Sequence, residues 1–223
     1  MSAGNLDVYL GSGIIADRPV TPSIPAGMTA WWYATDTSVM SHYNTVDGWA
    51  DLSAGAASGV ELFDSITTTG SATDITFSGI PATAKHLEVV FEGQAAQTGT
   101  GTVGMEMIIS GITSSNYNHQ YLLAAAASVS GGDGSALAYL FCGNVPQNSN
   151  AYQRAGYTMR IPSYLKAVPR TIITKGGYYA SGPRIMDLYG LLNDATLVTS
   201  IKLQLTGGVA FTDGTTADLY GIN

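Results

Sequence analysis

Short runs of alternating apolar and polar residues recur along the chain from Val60 onward. In His86–Phe91 and Thr102–Ser110 every second side chain is apolar, which is typical of a β-strand with one buried face. Turn-forming residues separate the runs, and no helix of crossover length lies between them. The pattern predicts an all-β fold for residues 60–223, an antiparallel β-sandwich of jelly-roll-like form. The other predicted strands are Glu61–Ile66, Asp74–Phe77, Tyr121–Val129, Ala136–Cys142, Gly156–Ile161, Arg170–Lys175, Ile185–Leu191, Ile201–Leu205 and Asp218–Ile222. Ser130–Ser135 is predicted to be a turn. The alanines in Tyr121–Val129 make a helical turn the alternative to a strand for that segment.

The first part of the chain follows a different pattern. Residues 1–27 predict an extended arm with a short strand at Asp7–Leu10, and three prolines stiffen Arg18–Pro25. Met28–Leu52 predicts a β-hairpin, because the pair Asp47-Gly48 accepts the positive φ angles of a tight turn. Residues 53–59 are small and predict a flexible joint. The predicted domains are therefore the arm and hairpin (1–52), the joint (53–59) and the sandwich (60–223).

Aromatic residues are concentrated in the predicted hairpin. It contains all three tryptophans of the chain, at Trp31, Trp32 and Trp49, together with Tyr33. A hairpin this small does not bury them by itself, so they must pack on the rest of the chain, on a sister copy or on another protein. Two interpretations remain open, a local hydrophobic plug and an attachment module.

Two groups of motifs resemble a known class of proteins. Tyr33-Ala-Thr-Asp-Thr37, followed by the Asp47-Gly48 turn and Trp49, is similar to a module of bacteriophage tail-fibre, head-fibre and other appendage proteins. The segments ITFSGIPATAKHLEVVFEG, SSNYNHQYLL, RIPSYLKAVPRTI and ADLYGI resemble, in this order, a β-sandwich of phage fibre, spike and receptor-binding proteins. The resemblance implies a non-enzymatic virion component, commonly trimeric, with an anchoring N-terminus and no catalytic residues to carry over. The arm shows no coiled-coil heptads or collagen-like repeat, which argues against a long fibre shaft.

Composition narrows the possible partners. Charged residues are only 11% of the chain, against about 25% on average, so we expect much of the surface to be covered, in an oligomer or in a large assembly. Together with the unburied tryptophans and the resemblance, which implies a trimer, this leads us to expect a homotrimer. The net charge is −7 and the nine Lys and Arg residues are scattered, which disfavours nucleic acid and anionic membranes. No apolar run is long enough to span a membrane, and no signal-peptide pattern begins the chain. The single cysteine, Cys142, is expected to be buried.

Catalytic, metal and cofactor motifs lack support. Gly99–Gly104 matches GxGxxG, but a strand pattern follows it where a dinucleotide site needs a helix. The histidines form no HxxxH pair, and the carboxylates form no recognisable catalytic pair. Asp133 and Asp213 lie in glycine-rich segments, where turn chemistry explains them. We therefore expect no cofactor, no metal and no enzymatic activity.

Several side chains are candidates for surface contact. His119 stands beside Tyr117, Asn118, Gln120 and Tyr121, residue types that stack on a sugar and bind its hydroxyls. A polar strand entry with aromatic core contacts is the favoured explanation of these residues, and sugar contact is the alternative. Tyr152 lies in the predicted loop Asn144–Gln153. Tyr178 and Tyr179 lie in the predicted loop Lys175–Gly182, and one of this adjacent pair should point into the core.

Two functional readings follow. The first is a structural virion protein, made in the bacterial host cytoplasm, that docks through residues 1–52 on capsid, portal, collar or tail proteins. Its β-sandwich would be exposed on the virion, and one function of the exposed domain would be adhesion to a host-surface glycan. The second is a soluble carbohydrate-binding module or a glycan-degrading domain.

A short repeat, Ile-Pro-x-x-x-Lys, occurs at Ile80–Lys85 and again at Ile161–Lys166. It marks either two corners where the chain crosses between sheets or a chance similarity.

Overall fold

The computed structural model describes residues 7–13, 29–34, 39–44, 48–51 and 59–223, the last range without 126–127 and 149–152. The chain divides into two compact units, Met1–Ser58 and Gly59–Asn223. Strands make up most of the described residues, and the second unit packs two antiparallel sheets together. The predicted all-β sandwich is therefore confirmed. The whole proline-rich linker Arg18–Pro25, residues 53–58 of the predicted joint, Asp47 and Tyr152 lie outside the described residues.

The first unit contains a four-stranded sheet with the order β1-β2-β3-β4. Its strands are β1 (Asp7–Gly13), β2 (Thr29–Ala34), β3 (Val39–Asn44) and β4 (Gly48–Asp51). β1 runs parallel to β2, while β3 pairs antiparallel with both β2 and β4. The predicted single hairpin was therefore too simple: a third strand, β3, separates the strand of Trp31, Trp32 and Tyr33 from the strand of Trp49. The segment before Gly48 does connect paired strands, since Asn44 pairs with Gly48.

The described residues of the second unit form twelve strands in two sheets. The strands are β5 (Val60–Thr67), β6 (Asp74–Ser78), β7 (His86–Gly93), β8 (Thr102–Ile109), β9 (Tyr117–Ala125), β10 (Ser128–Leu137), β11 (Leu140–Pro146), β12 (Ala155–Ile161), β13 (Arg170–Tyr179), β14 (Pro183–Leu192), β15 (Ser200–Leu205) and β16 (Thr216–Ile222). The large sheet has the order β10-β9-β14-β13-β12-β7-β16-β5, and the small sheet has the order β11-β8-β15-β6. The final strand, β16, therefore lies between two early strands, β5 and β7.

The core lies between the two sheets and follows the predicted alternation. In β7, Leu87, Val89 and Phe91 are buried while the residues between them are not, and β12, β15 and β16 alternate in the same way. One face of each strand thus contributes to one contiguous apolar cluster. Cys142 belongs to this cluster, as predicted, and burial raises the pKa of its thiol.

The region around β9 and β10 differs from the prediction. Tyr121–Val129 was predicted as one strand and Ser130–Ser135 as a turn, but β9 ends at Ala125 and Ser128–Leu137 forms the antiparallel neighbour β10. The glycine-rich segment containing Asp133 is therefore a strand. The predicted strand Ala136–Cys142 also spans a break, since β10 ends at Leu137 and β11 begins at Leu140.

Two buried side chains hold loops and edges in place. The Tyr157 hydroxyl donates to the Asn144 carbonyl (2.9 Å) and accepts from the Asn144 N–H (3.1 Å), so β12 of the large sheet caps β11, an edge strand of the small sheet. The Arg170 guanidinium donates to the carbonyl oxygens of Lys166 (2.6 Å), Tyr164 (3.4 Å) and Asp194 (3.4 Å). Arg170 therefore fixes the segment that connects β12 to β13.

Candidate functional site

An aromatic cleft lies at the side of the sandwich where β10 and β11 form neighbouring edges. His119 and Tyr121 occupy the same face of β9, two residues apart, and project toward Phe141 of β11. Asp133, Tyr139 and Thr206 also line this space, which has a volume of about 290 Å³. We call it the edge cleft.

Three rings form one wall of the edge cleft. The centroids of His119 and Phe141 are 5.5 Å apart, those of Tyr121 and Phe141 are 5.6 Å apart, and those of His119 and Tyr121 are 6.4 Å apart. These separations are typical of contacting aromatic side chains. Each ring therefore supports the others, and the wall is set before any ligand arrives.

The glycines of β10 make room for these rings. A Cβ atom on Gly132 would lie 2.6 Å from the Tyr121 hydroxyl, and one on Gly134 would lie 2.6 Å from His119 Cε1. Real Cβ atoms do not approach so closely, so larger residues would displace the rings. The glycine-rich sequence of this strand thus reflects close packing and not a turn.

The His119 imidazole has an unusual electrostatic position. Burial lowers its pKa from the ordinary value of 6.5, while the nearby Asp133 carboxylate acts in the opposite direction. Its Nδ1 atom is buried and has no hydrogen-bond partner among the described residues. A neutral imidazole next to an aromatic wall can stack on or hydrogen-bond to an uncharged polar ligand.

Hydrogen bonds fix Thr206, another residue of the cleft lining. The Thr206 hydroxyl lies 3.1 Å from Glu106 Oε1 and 3.1 Å from the Gly104 carbonyl. Glu106 is itself buried, and its other carboxylate oxygen accepts from Gln204 Nε2 at 2.8 Å. Glu106 thus positions Thr206, and the carboxylate that lines the cleft is Asp133.

A second, more open depression lies beside the cleft on the outer face of the large sheet. Asn118, Gln120, Asp133, Thr171 and Tyr189 line it, and its volume is about 530 Å³. The pairing register of β9 with its two neighbours brings these residues together. Gln120 pairs with Asp133 of β10 and with Tyr189 of β14, and Asn118 pairs with Leu191 of β14. Asp133 lines both the depression and the edge cleft, so a ligand at this edge meets polar groups on two sides.

The structure distributes the other predicted contact residues differently. Tyr117 is in the core, where its hydroxyl accepts from the Ile109 N–H at 2.9 Å and burial raises its pKa to about 12. Tyr178 is only 8% exposed, so the prediction that it offers contact area is corrected, whereas Tyr179 is 48% exposed. This is the expected division between adjacent strand residues.

Tyr179 does not join the edge cleft. It pairs with Pro183 at one end of β14, whereas His119 pairs with Gly190 on the same strand. Seven residues of strand separate these two positions, or about 23 Å at 3.3 Å per residue. The predicted loop Lys175–Gly182 is mostly strand, and Asn144–Pro146 also belongs to a strand.

Sequence reasoning found His119 but missed Phe141, Asp133 and Tyr189 as its neighbours. The sequence pattern places Phe141 in a strand but does not indicate which side chains it contacts, and it places Asp133 in a turn. The alternation of β14, in which Tyr189 faces outward between the buried Leu188 and Gly190, was a usable signal for Tyr189.

Within the part of the chain that the structure describes, no cluster of three or more His, Cys, Asp or Glu side chains could hold a metal ion. The GxGxxG segment runs directly into the strand β8, as the sequence pattern predicted. No helix among the described residues is long and apolar enough to cross a membrane. Comparisons with protein-family models, curated proteins and solved structures gave no match to this chain.

Proposed function

We propose that this chain is a non-enzymatic structural component of a bacteriophage virion that docks through residues 1–52 and exposes its β-sandwich. The observation that carries the proposal is an apolar patch on the outer face of the large sheet. Together with the motif resemblance described above, it favours a protein that works by assembly. The virion is accordingly the proposed location, and capsid, portal, collar or tail proteins are the proposed partners.

The patch consists of Leu122, Ala124, Val129 and Ile185, and we call it the outer patch. Val129 pairs with Ala124, and Ala124 pairs with Ile185, so the three side chains lie in one row across β10, β9 and β14. Val129 is 73% exposed, Ile185 is 67% exposed and Leu122 is 59% exposed. Contiguous apolar side chains at this exposure are typical of a surface that a partner covers.

The proposed occupant of the outer patch is another copy of this chain in a homotrimer. A closed oligomer covers apolar surface symmetrically and agrees with the low charge content. Sedimentation velocity of the full chain should give a trimer. Leu122→Asp combined with Ile185→Asp should give a monomer, whereas Val168→Asp, at an exposed position outside the patch, should leave the trimer intact. A wild-type monomer at micromolar concentration would contradict the trimer.

The virion assignment has its own test. Particles of the virus that encodes this chain are purified on a density gradient, and their proteins are identified by mass spectrometry. We expect its peptides at a fixed ratio to the capsid protein, and antibodies to the sandwich should label intact particles. Absence of the chain from purified particles would refute the proposal, as would cleavage of host polysaccharide by the purified protein.

The edge cleft favours a second function, binding of a neutral sugar. One wall is aromatic, and Asp133, Thr206 and His119 can bind hydroxyl groups, which is the combination that holds a sugar ring. Glycan-array binding by the full chain should be lost in Phe141→Ala and retained in Tyr179→Ala, because Tyr179 lies outside the cleft. If both variants bind glycans equally well, the edge cleft is not the binding site. If the wild-type chain binds no glycan on the array, the sugar-binding function is wrong and assembly remains as the proposed function.

A further inference from the structure

The two copies of the Ile-Pro-x-x-x-Lys repeat meet at one end of the sandwich. Ile80–Lys85 leads into β7, and Ile161–Lys166 leaves β12, which pairs antiparallel with β7 through Leu87 and Ile161. The Tyr164 hydroxyl of the second copy donates to the Pro81 carbonyl of the first. The two segments, called the corners below, are therefore bonded to each other. Only the first crosses between the sheets: Ile80–Lys85 connects β6 of the small sheet to β7 of the large sheet, whereas Ile161–Lys166 connects β12 to β13 within the large sheet.

A pocket lies between these corners. Its volume is about 420 Å³, within the range of small-molecule sites, and its lining residues are Ala84, Lys85, His86, Ser163, Leu165 and Lys166. We call it the corner pocket. Each corner contributes the lysine that ends its repeat and an apolar residue directly before it, so the lining has two cationic groups beside an apolar wall.

Charge distinguishes the corner pocket from the rest of the molecule. The chain has a net charge of −7 and only nine Lys and Arg residues, yet two of them line this one pocket. Among the residues that the structure describes, the ion pair formed is that of Arg154 with Glu92, so neither Lys85 nor Lys166 forms an ion pair with a described carboxylate. Two unneutralised ammonium groups beside one concavity favour an anion.

Neutral hydrogen-bond donors are available beside the lysines. The Ser163 N–H donates to His86 Nδ1 at 3.0 Å, which leaves the imidazole proton on Nε2 as a donor. Ser163 also lines the pocket and carries a hydroxyl group. Donors of this kind recognise the oxygen atoms of a carboxylate or phosphate at defined positions.

The backbone that carries these groups is fixed in advance. Arg170 donates to the carbonyls of Lys166 and Tyr164, and the Lys85 N–H donates to the Ile222 carbonyl at 2.9 Å. Ser163 has a φ of 51°, a left-handed conformation that these bonds hold in place. A pre-formed backbone lowers the ordering cost of binding.

We propose that the corner pocket binds the anionic group of a sugar-sized ligand, a carboxylate or a phosphate. Lys85 and Lys166 supply the charge, His86 and Ser163 supply directed hydrogen bonds, and Ala84 with Leu165 contacts the apolar face of the ligand. This site is separate from the edge cleft and from the outer patch, and it does not depend on the virion assignment.

The test titrates the full chain with glucuronate, glucose 6-phosphate and glucose, using calorimetry and ¹H–¹⁵N spectra. We expect saturable binding of one or both anionic sugars, a shift of the His86 Nε2 signal on binding, and no binding of glucose. Binding of both defines an anion site, and binding of one identifies its carboxylate or phosphate preference. Affinity should fall as sodium chloride is raised, because the lysines are exposed.

Charge removal gives the decisive comparison. Lys85→Gln and Lys166→Gln should each weaken binding by about tenfold, the loss expected for one charge-assisted hydrogen bond. Lys175→Gln, on the outer face of β13, is the matched control and should bind as the wild type does. Thermal unfolding verifies that all variants are folded. The proposal is overturned if neither anionic sugar binds, if glucose binds equally well, or if the two pocket variants bind like Lys175→Gln.

Discussion

The Tyr157 hydroxyl is a clear point at which to perturb the contact between the two sheets. Tyr157→Phe keeps the buried ring and removes one oxygen atom, which makes two hydrogen bonds to the backbone of Asn144. The Asn144 N–H and carbonyl then lose their partner at the edge of β11. One lost hydrogen bond costs about 1 kcal/mol, and an unsatisfied buried group costs about 1–3 kcal/mol. We expect a total loss of about 2–3 kcal/mol.

Urea unfolding and differential scanning calorimetry would measure this loss. For a chain of this size each kcal/mol lowers the melting temperature by about 2–4 °C, so the variant should melt about 5–10 °C below the wild type. Tyr117→Phe removes a single bond, from the Ile109 N–H, and should cost less than Tyr157→Phe. Tyr189→Phe, at a largely exposed position, should change stability by less than about 0.5 kcal/mol. Equal melting temperatures for Tyr157→Phe and Tyr189→Phe would refute the view that this hydroxyl joins the sheets.

Three further predictions concern the loops and the edge cleft. Arg170→Lys should lower the unfolding free energy by about 2 kcal/mol in urea titrations, because an ammonium cannot reach three carbonyls as the planar guanidinium does. Gly134→Ala should cost about 1–3 kcal/mol and alter the ring signals of His119, whereas Gly156→Ala, which has open space at its Cβ position, should be nearly neutral. Because burial lowers the pKa of folded His119 below 6.5, the unfolded chain binds the proton more readily, and stability should fall as the pH drops below about 6.5. His119→Gln should reduce that fall, and an unchanged pH profile would argue against a buried imidazole.

Alternation was sufficient to predict the strands that form the sandwich core. A strand with one face in the core must place apolar residues at every second position, and β7, β12 and β16 all do so. Their positions could therefore be identified from the sequence without knowledge of their partners. The partners themselves, such as β16 between β5 and β7, depend on contacts between residues far apart in the chain, which local patterns do not encode.

The glycine-rich strand β10 shows why the candidate site was predicted only in part. Gly-Gly-Asp-Gly is typical of a turn, because glycine accepts φ angles that other residues avoid. Here the glycines are required by the Tyr121 and His119 rings of the neighbouring strand, a tertiary contact. Phe141 joins His119 only because β9 and β11 belong to sheets that pack together. A sequence pattern within one strand cannot reveal a contact between residues of two different sheets.

The position of β16 also determines when the large sheet can be completed during protein synthesis. Ser65 of β5 bonds to Asp218 of β16, a residue 153 positions later in the chain. At about 5–20 residues per second, a ribosome needs roughly 8–30 seconds to travel that distance. Throughout this time β5 and β7 lack β16, the strand that pairs with both of them in the folded protein, and unpaired edges are where chains aggregate. The large sheet is therefore completed only after β16 has been made, and products that stop before Thr216 leave both edges open.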